Sequence, residues 1–523
     1  MNLSFHRTDF VKLLLGIFFL VAVIFPLGIM LSSISGPDIT AVFQLPRFKE
    51  SLFNSINAAG TATLISVGLA WIFALCIVRS NIRLREQFTV LVTVPMLIPS
   101  ISHGMGLVLL LGVNGIITRT FGLSHNIYGF QGVVIGSVFY SFPVAFLMLT
   151  DILKYEDGSP YEAASVLGIP KKNQFFSISF PYLRKPLISV IFAVFTLIFT
   201  DYGVPLMIGG MYITLPVLMF QEVIGLLNFN RGSVIGSFLL IPALVAFIFD
   251  LLTRERTNML FVIKQKSISE NRLRDAAAMC YVALICALII LPVAVFAVLT
   301  FINSYPVDMS LSFRNIVRTM NMGTGTFLAN SLIISFFVAV IGTFVSWFTA
   351  YFTARTPGKS SRFLHLVSIT SLAIPGMVLG ISYVLFFSRS FFYGGLAILV
   401  LVNIIHFFAS PYLMAYNSLG KLNRNLEDVG RTLGIGRFRI IRDVIIPQTR
   451  VTILEMLSYF FVNSMITISA VSFLSTVRNR PVSLMITTFE AQLFLEGAAF
   501  ISILILLCNL FVKFGVYGII RKL

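Results

Sequence analysis

SPYEAASVLGIPKKNQFFSISFP, residues Ser159–Pro181, returns in altered form as NLEDVGRTLGIGRFRIIRDVIIP, residues Asn425–Pro447. Both copies carry Leu-Gly-Ile (Leu167-Gly168-Ile169 and Leu433-Gly434-Ile435), and in both a proline follows the glycine by 13 positions. The glycines are 266 residues apart. Each copy is a polar, basic stretch between long apolar segments. A polar loop written twice in an apolar chain points to two equivalent docking points for a partner.

The surrounding composition fixes the class. Of 523 residues, 57% are hydrophobic and only 11% charged, with a mean hydropathy of +0.93, which excludes an ordinary soluble domain. Stretches long enough to cross about 30 Å of hydrocarbon fall near 11–33, 53–78, 88–111, 129–153, 186–208, 232–252, 276–301, 328–354, 363–388, 394–417, 451–474 and 497–519. The first apolar run is too long for a signal peptide and no small-residue cleavage site follows, so it reads as a span. Prolines interrupt several spans (Pro99, Pro143, Pro242, Pro292, Pro375, Pro411), as is tolerated where neighbouring helices or a cavity satisfy the freed backbone groups. The expectation is an all-α polytopic membrane protein of about twelve transmembrane helices.

Orientation follows from charge. With the N-terminus in the cytoplasm, most of the 38 Lys and Arg residues fall in cytoplasmic segments, as the positive-inside rule requires. Both termini and both repeated loops (154–185 and 418–450) are then cytoplasmic, in a multi-pass protein of the plasma (inner) membrane. A basic linker, 253–275, separates residues 1–252 from 276–523, with six spans in each half. An even number of spans makes the halves parallel repeats about an axis along the membrane normal. The net charge of +17 is spread over short loops beside spans, which argues against a nucleic-acid partner. Cys76, Cys280, Cys286 and Cys508 all lie in apolar segments and read as small buried residues, with no disulfide framework, no metal site and no cofactor.

Within the first loop, Ser159 reads as an N-cap, Pro160 suits the first helical position and Glu162 completes a capping box. Asn425 reads as the cap of the second, with Glu427 and Asp428 in its first turn. Gly168 and Gly434 end the two helices, and basic residues (Lys171, Lys172; Arg437, Arg439) follow, matching the helix dipole. Each loop thus predicts a two-turn helix, too short to persist without packing.

These loops resemble the cytoplasmic loop of permease subunits of binding-protein-dependent ATP-binding cassette importers. The first copy carries the pattern closely, in Glu162-Ala163-Ala164, Gly168, Ile178 and Pro181. The second keeps Gly434 and Pro447 but replaces the triplet with Asp428-Val429-Gly430 and the isoleucine with Val444. The likeness extends over essentially the whole chain, as two fused permease domains of the type I importer fold. It implies that the loop helices dock on two copies of a cytoplasmic ATPase subunit and that an extracytoplasmic binding protein delivers the solute. No G-x-x-x-x-G-K-[S/T] loop is present, so the chain reads as the conduit and not an enzyme.

Route residues are sought among polar groups and helix breaks within spans. Asp201 and Tyr202 lie towards the outer end of the fifth span; Thr467 and Ser469 occupy the corresponding part of the eleventh. Asp201 reads either as a lining carboxylate, or as one that caps a helix break or pairs with an outer-loop arginine. Pro99, in Ile98-Pro99, and Pro375, in Ile374-Pro375-Gly376, hold equivalent places in the third and ninth spans and are expected to break helices beside a cavity. His103 and His406 read as interior histidines, since neither has a second ligand at metal spacing. The segments resemble fused permeases for ferric iron and for 2-aminoethylphosphonate, with ferric iron the first expectation, a phosphonate or similar oxyanion the second and thiamine the third. A secondary transporter of the major facilitator type would share twelve spans in parallel halves, but the loop Arg79–Glu86 lacks its glycine- and basic-rich signature. No paired carboxylates or nucleophile elbow support a membrane enzyme.

Overall fold

The computed structural model describes residues 3–122, 127–253, 271–356, 358–423 and 425–523. Most of the expected linker, 253–275, lies outside the described residues. Among those described, nine helices are long and apolar enough to cross a membrane, and eleven if two bent pairs are each one span. A further helix, Arg450–Ile466, covers most of the expected 451–474 stretch with 17 residues. The only strands described form a hairpin, Ile302–Ser304 with Asp308–Leu311. The chain is an all-α polytopic membrane protein.

The spans expected at 88–111 and 363–388 are not single helices. Arg85–Thr93 gives way to a short turn at Val94–Leu97, and a new helix runs from Ser100 to Leu111. In the second repeat Lys359–Ala373 and Gly376–Phe387 meet at 111°. Proline is the cause in both. It lacks the N–H that would continue the helix and forces the preceding residue into extended backbone, as seen at Ile98 (φ −119°, ψ 153°) and Ile374 (φ −105°, ψ 109°). The expected span at 394–417 is likewise bent by 53°, between Leu396–His406 and Ala409–Lys421.

Packing divides the chain differently from the sequence repeats. One compact unit comprises Met1–Gln44, Met219–Ala243 and Ser312–Leu523; the other comprises Leu45–Leu218 and Leu244–Leu311. In the first unit, the N-terminal span Asp9–Ser32 packs against helices of the second repeat. Tyr383 donates a hydrogen bond to the Ala22 carbonyl at 2.7 Å, and Phe19 meets Phe408 edge-on at 5.0 Å. In the other unit the seventh span, Arg272–Leu299, packs on the first repeat. Tyr281 donates to the Leu69 carbonyl at 2.9 Å, and Gly106 lies so close to Pro292 that a side chain there would collide with it. The helix that leads each expected half, Asp9–Ser32 or Arg272–Leu299, therefore belongs to the unit built mainly from the other half.

Candidate functional site

The repeated loops fold as two short helices, Ser159–Val166 and Leu426–Thr432. Gly168 (φ +68°) and Gly434 (φ +69°) close them in the left-handed conformation that glycine adopts without penalty. The exits match. The amide of Ile169 donates to the Ala164 carbonyl at 2.9 Å, and that of Ile435 to the Gly430 carbonyl at 2.8 Å. Pro181 and Pro447 each follow a single π-helical turn, Phe175–Ser179 and Ile441–Ile445, the kind of local widening that accommodates a proline within a helical stretch. The expected Ser159 cap does not form. The helix begins one residue earlier, with Gly158 at the cap position, because Asp157 Oδ1 accepts both the amide (3.0 Å) and the hydroxyl (2.8 Å) of Ser159.

The two triplets occupy equivalent environments despite their different residues. Glu162 and Ala163 are exposed and Ala164 is buried; Asp428 and Val429 are exposed and Gly430 is buried. A Cβ at Gly430 would run into the Ile440 side chain, so the departure at this position makes room for an isoleucine. The outward faces are apolar. Val166 is 88% exposed and Leu167 75%, answered in the second copy by Val429 at 53% and Leu433 at 68%.

An arginine from a long span anchors each loop helix, which the sequence did not reveal. Arg79, the last residue of Phe48–Arg79, pairs with Glu156, whose side chain is 3% exposed. The Tyr161 hydroxyl donates to the same carboxylate, and the Arg79 guanidinium sits 5.8 Å from the Tyr161 ring centre. Burial, and then the bond to Glu156, push the Tyr161 hydroxyl above its ordinary pKa, which keeps its proton available to donate. Arg355, the last residue of Gly325–Arg355, grips Glu427 with two nitrogens, Nε to Oε1 at 2.8 Å and Nη2 to Oε2. It also donates to the carbonyls of Leu422 (2.8 Å) and Asn423 (2.7 Å). Arg79 and Arg355 are 276 residues apart, the same separation as Pro99 and Pro375.

At the helix breaks the two repeats build the same place with different chemistry. Asp201 Oδ2 accepts the Val204 amide at 3.0 Å and caps the short helix Gly203–Ile208, while its carboxylate also bonds the Ser100 side chain just after Pro99. The capping reading of Asp201 is thus the observed geometry. A cavity of about 10 Å³, room for roughly one water, adjoins it, lined in part by Ser55, Ser137 and Thr214. In the second repeat Gly376 replaces Ser100, and Ser469 and the His406 ring crowd so close that a Cβ at Gly376 would overlap the serine hydroxyl. Tyr202, Thr467, Pro99 and Pro375 are buried. His103 is buried too, edge-on to Tyr140 at 5.8 Å. Among the described residues no three His, Cys, Asp or Glu side chains come close enough to hold a metal ion.

A second duplicated device also escaped the sequence reading. Asn54 Nδ2 donates to the Ile213 carbonyl at 3.1 Å, and the Leu215 amide donates to Ser55 Oγ at 2.7 Å. Asn330 Nδ2 donates to the Arg478 carbonyl at 3.0 Å, and the Val482 amide donates to Ser331 Oγ at 2.8 Å. The same Asn-Ser pair pins the segment before the short helix Leu215–Gly225 in the first repeat and before Ser483–Ala491 in the second. The signal was present as Asn-Ser at 54–55 and 330–331, at the same spacing as Pro99 and Pro375.

A duplicated exposed loop helix on a bundle of broken spans defines a polytopic transport protein. The family of binding-protein-dependent transport system inner membrane components matches twice, over residues 66–258 and 342–523, and the chain belongs to it as a fused, two-domain, multi-pass inner membrane permease. It is 26% identical over 492 residues to the putative ferric transport system permease protein FbpB 1 of Haemophilus influenzae, covering 90% of this chain and 78% of that protein. It is also 26% identical to the ferric transport system permease protein FbpB of Actinobacillus pleuropneumoniae, covering 82% of this chain and 65% of that one. A shorter match, 32% over 155 residues, covers 29% of this chain and 67% of the molybdenum transport system permease protein ModB of Azotobacter vinelandii.

Proposed function

We propose that the chain forms the translocation pathway of an importer in which two copies of a separate cytoplasmic ATP-binding cassette subunit hydrolyse ATP and an extracytoplasmic binding protein delivers the solute. In this reading both termini and both loop helices face the cytoplasm. The observation that carries it is the pair of loop helices, each short, apolar on its outer face and closed by a left-handed glycine. Two like helices fit two like subunits. A Cβ added at Gly168 or Gly434 would meet nothing within 4 Å, so an arginine there adds bulk to the docking face and strain to the turn without disturbing the interior. Gly168→Arg and Gly434→Arg should each abolish or weaken co-purification of the ATPase while the chain still inserts in the membrane. Undiminished co-purification and uptake in both would refute the docking role.

Ferric iron is the proposed cargo, supported by the ferric permease relatives that span most of the chain. Asp201, Tyr202, Thr467, Ser469, His103, Pro99 and Pro375 are proposed to mark the passage at the paired helix breaks. Cells expressing the complete system should accumulate radiolabelled ferric iron, and unlabelled thiamine, molybdate or 2-aminoethylphosphonate should not compete. Competition by one of these would reassign the cargo.

A further inference from the structure

The arginine anchors do more than hold the loop helices in place for docking. Each long span, Phe48–Arg79 and Gly325–Arg355, has 32 or 31 residues, roughly 46–48 Å of helix against about 30 Å of hydrocarbon. A helix of that length exceeds the apolar layer, and its arginine-bearing end reaches the loop helix. There it meets a glutamate that is almost fully buried (Glu156, 3%; Glu427, 10% by side chain). A buried carboxylate is costly without its cation, and a guanidinium holds a carboxylate in a fixed, directional geometry. The contact resists sliding as a greasy contact would not.

Both loop helices are tied at more than one point. In the first, Tyr161 bonds Glu156 and Ser179, and Ser179 immediately precedes the span helix Phe180–Phe199. In the second, Arg355 holds Glu427 and the turn at 422–423, while Arg437, just past Gly434, donates from Nε to the Tyr351 hydroxyl at 3.0 Å on the same long span. Chain connectivity alone would pass a push on the loop helix only to the neighbouring spans in sequence. The ion pairs add a second outlet, to a span that precedes the loop by some 75 residues in each repeat.

We propose that Arg79 and Arg355 are transmission residues: each locks a loop helix to the end of a long span, so that displacement of the loop by its ATPase moves Phe48–Arg79 or Gly325–Arg355 together with it. The inference rests on the importer reading above, and it goes further by naming the spans driven and the atoms that drive them. They are positioning residues, in contact with neither nucleotide nor solute.

The first repeat is the better place to test it, because Arg79 is 22% exposed and Arg355 only 2%. Pairing Arg79→Met with Glu156→Gln leaves no buried charge alone. Hydrogen exchange is measured on the complete complex, free of nucleotide and trapped with ATP and vanadate. In the unaltered chain, trapping should change exchange at least about fivefold, a measurable local-opening difference, both at 159–166 and at the span end, 72–82. In the double variant the response at 159–166 should persist while that at 72–82 disappears; Arg79→Lys, which keeps the cation, should retain it. An undiminished response at 72–82 in the double variant, or none there in the unaltered chain, overturns the proposal. If the ATPase fails to protect 159–166 even in the unaltered chain, the docking reading itself is wrong and the inference falls with it.

Discussion

At the scale of single residues, what matters is which atom a side chain excludes or holds. Gly430 occupies the place of Ala164 because Ile440 fills the space a methyl would take. Gly430→Val should therefore overpack the second loop helix by about 1–3 kcal/mol, read as a lower Tm of the detergent-solubilised chain, and Ile440→Ala in the same chain should restore part of the loss. No recovery in the double variant would show that the two side chains are not in conflict. Asp201 poses a sharper question, since the geometry makes it a cap while the proposal gives it a place on the route. Asp201→Asn keeps an oxygen for the Val204 amide and removes the charge. Uptake unchanged in Asp201→Asn but lost in Asp201→Ala would assign it to capping alone; uptake reduced in both, with the melting temperature kept in Asp201→Asn, would assign the charge to the route.

Between residue and molecule stand the elements, and here the repeated loops were the most legible part of the sequence. Glycine, caps and proline act locally, so their spacing alone predicted two-turn helices ending at Gly168 and Gly434. The cap itself was misread at Ser159 because Asp157, two residues outside the motif, competes for the same groups. Helix breaks at Pro99 and Pro375 were foreseen, but not the 111° bend, which depends on what each half packs against. Arg79 with Glu156 and Arg355 with Glu427 were invisible because each pair joins residues more than 70 positions apart. The Asn-Ser pairs looked like tolerated polar residues within spans. Their removal should loosen a segment and leave the fold standing. Asn54→Ala or Asn330→Ala withdraws one side-chain hydrogen bond worth about 1 kcal/mol, so exchange should rise roughly fivefold at 209–218 or 476–484 respectively, with little change elsewhere. Unchanged exchange there would remove the clamp from the account.

Across the whole molecule, the apolar pattern announced spans and their repetition but could not say which span packs with which, since lipid-facing and partner-facing helices are alike in composition. That is why the exchange of leading helices was not read. It makes a prediction at this scale. Residues 1–252 and 276–523, produced as separate chains in the same cell, should assemble and co-purify, whereas either one alone should be degraded or aggregate. Removal of residues 1–44 should destabilise the unit formed mainly by 312–523, seen as protease sensitivity there. Independent survival of the two fragments would show that the lent helices contribute little.

The lent helices also bear on ancestry. A half-length forebear built on this plan would have had no complete hydrophobic interior of its own, because its first helix belonged to a neighbour. Folding and pairing would then have been a single event, and joining the two copies by a linker would have fixed a partnership that already existed. Once joined, the twins no longer had to serve the same role from one gene, which is the freedom needed for one copy to carry a carboxylate at 201 where the other carries a threonine at 467, and Ala164 where the other carries Gly430.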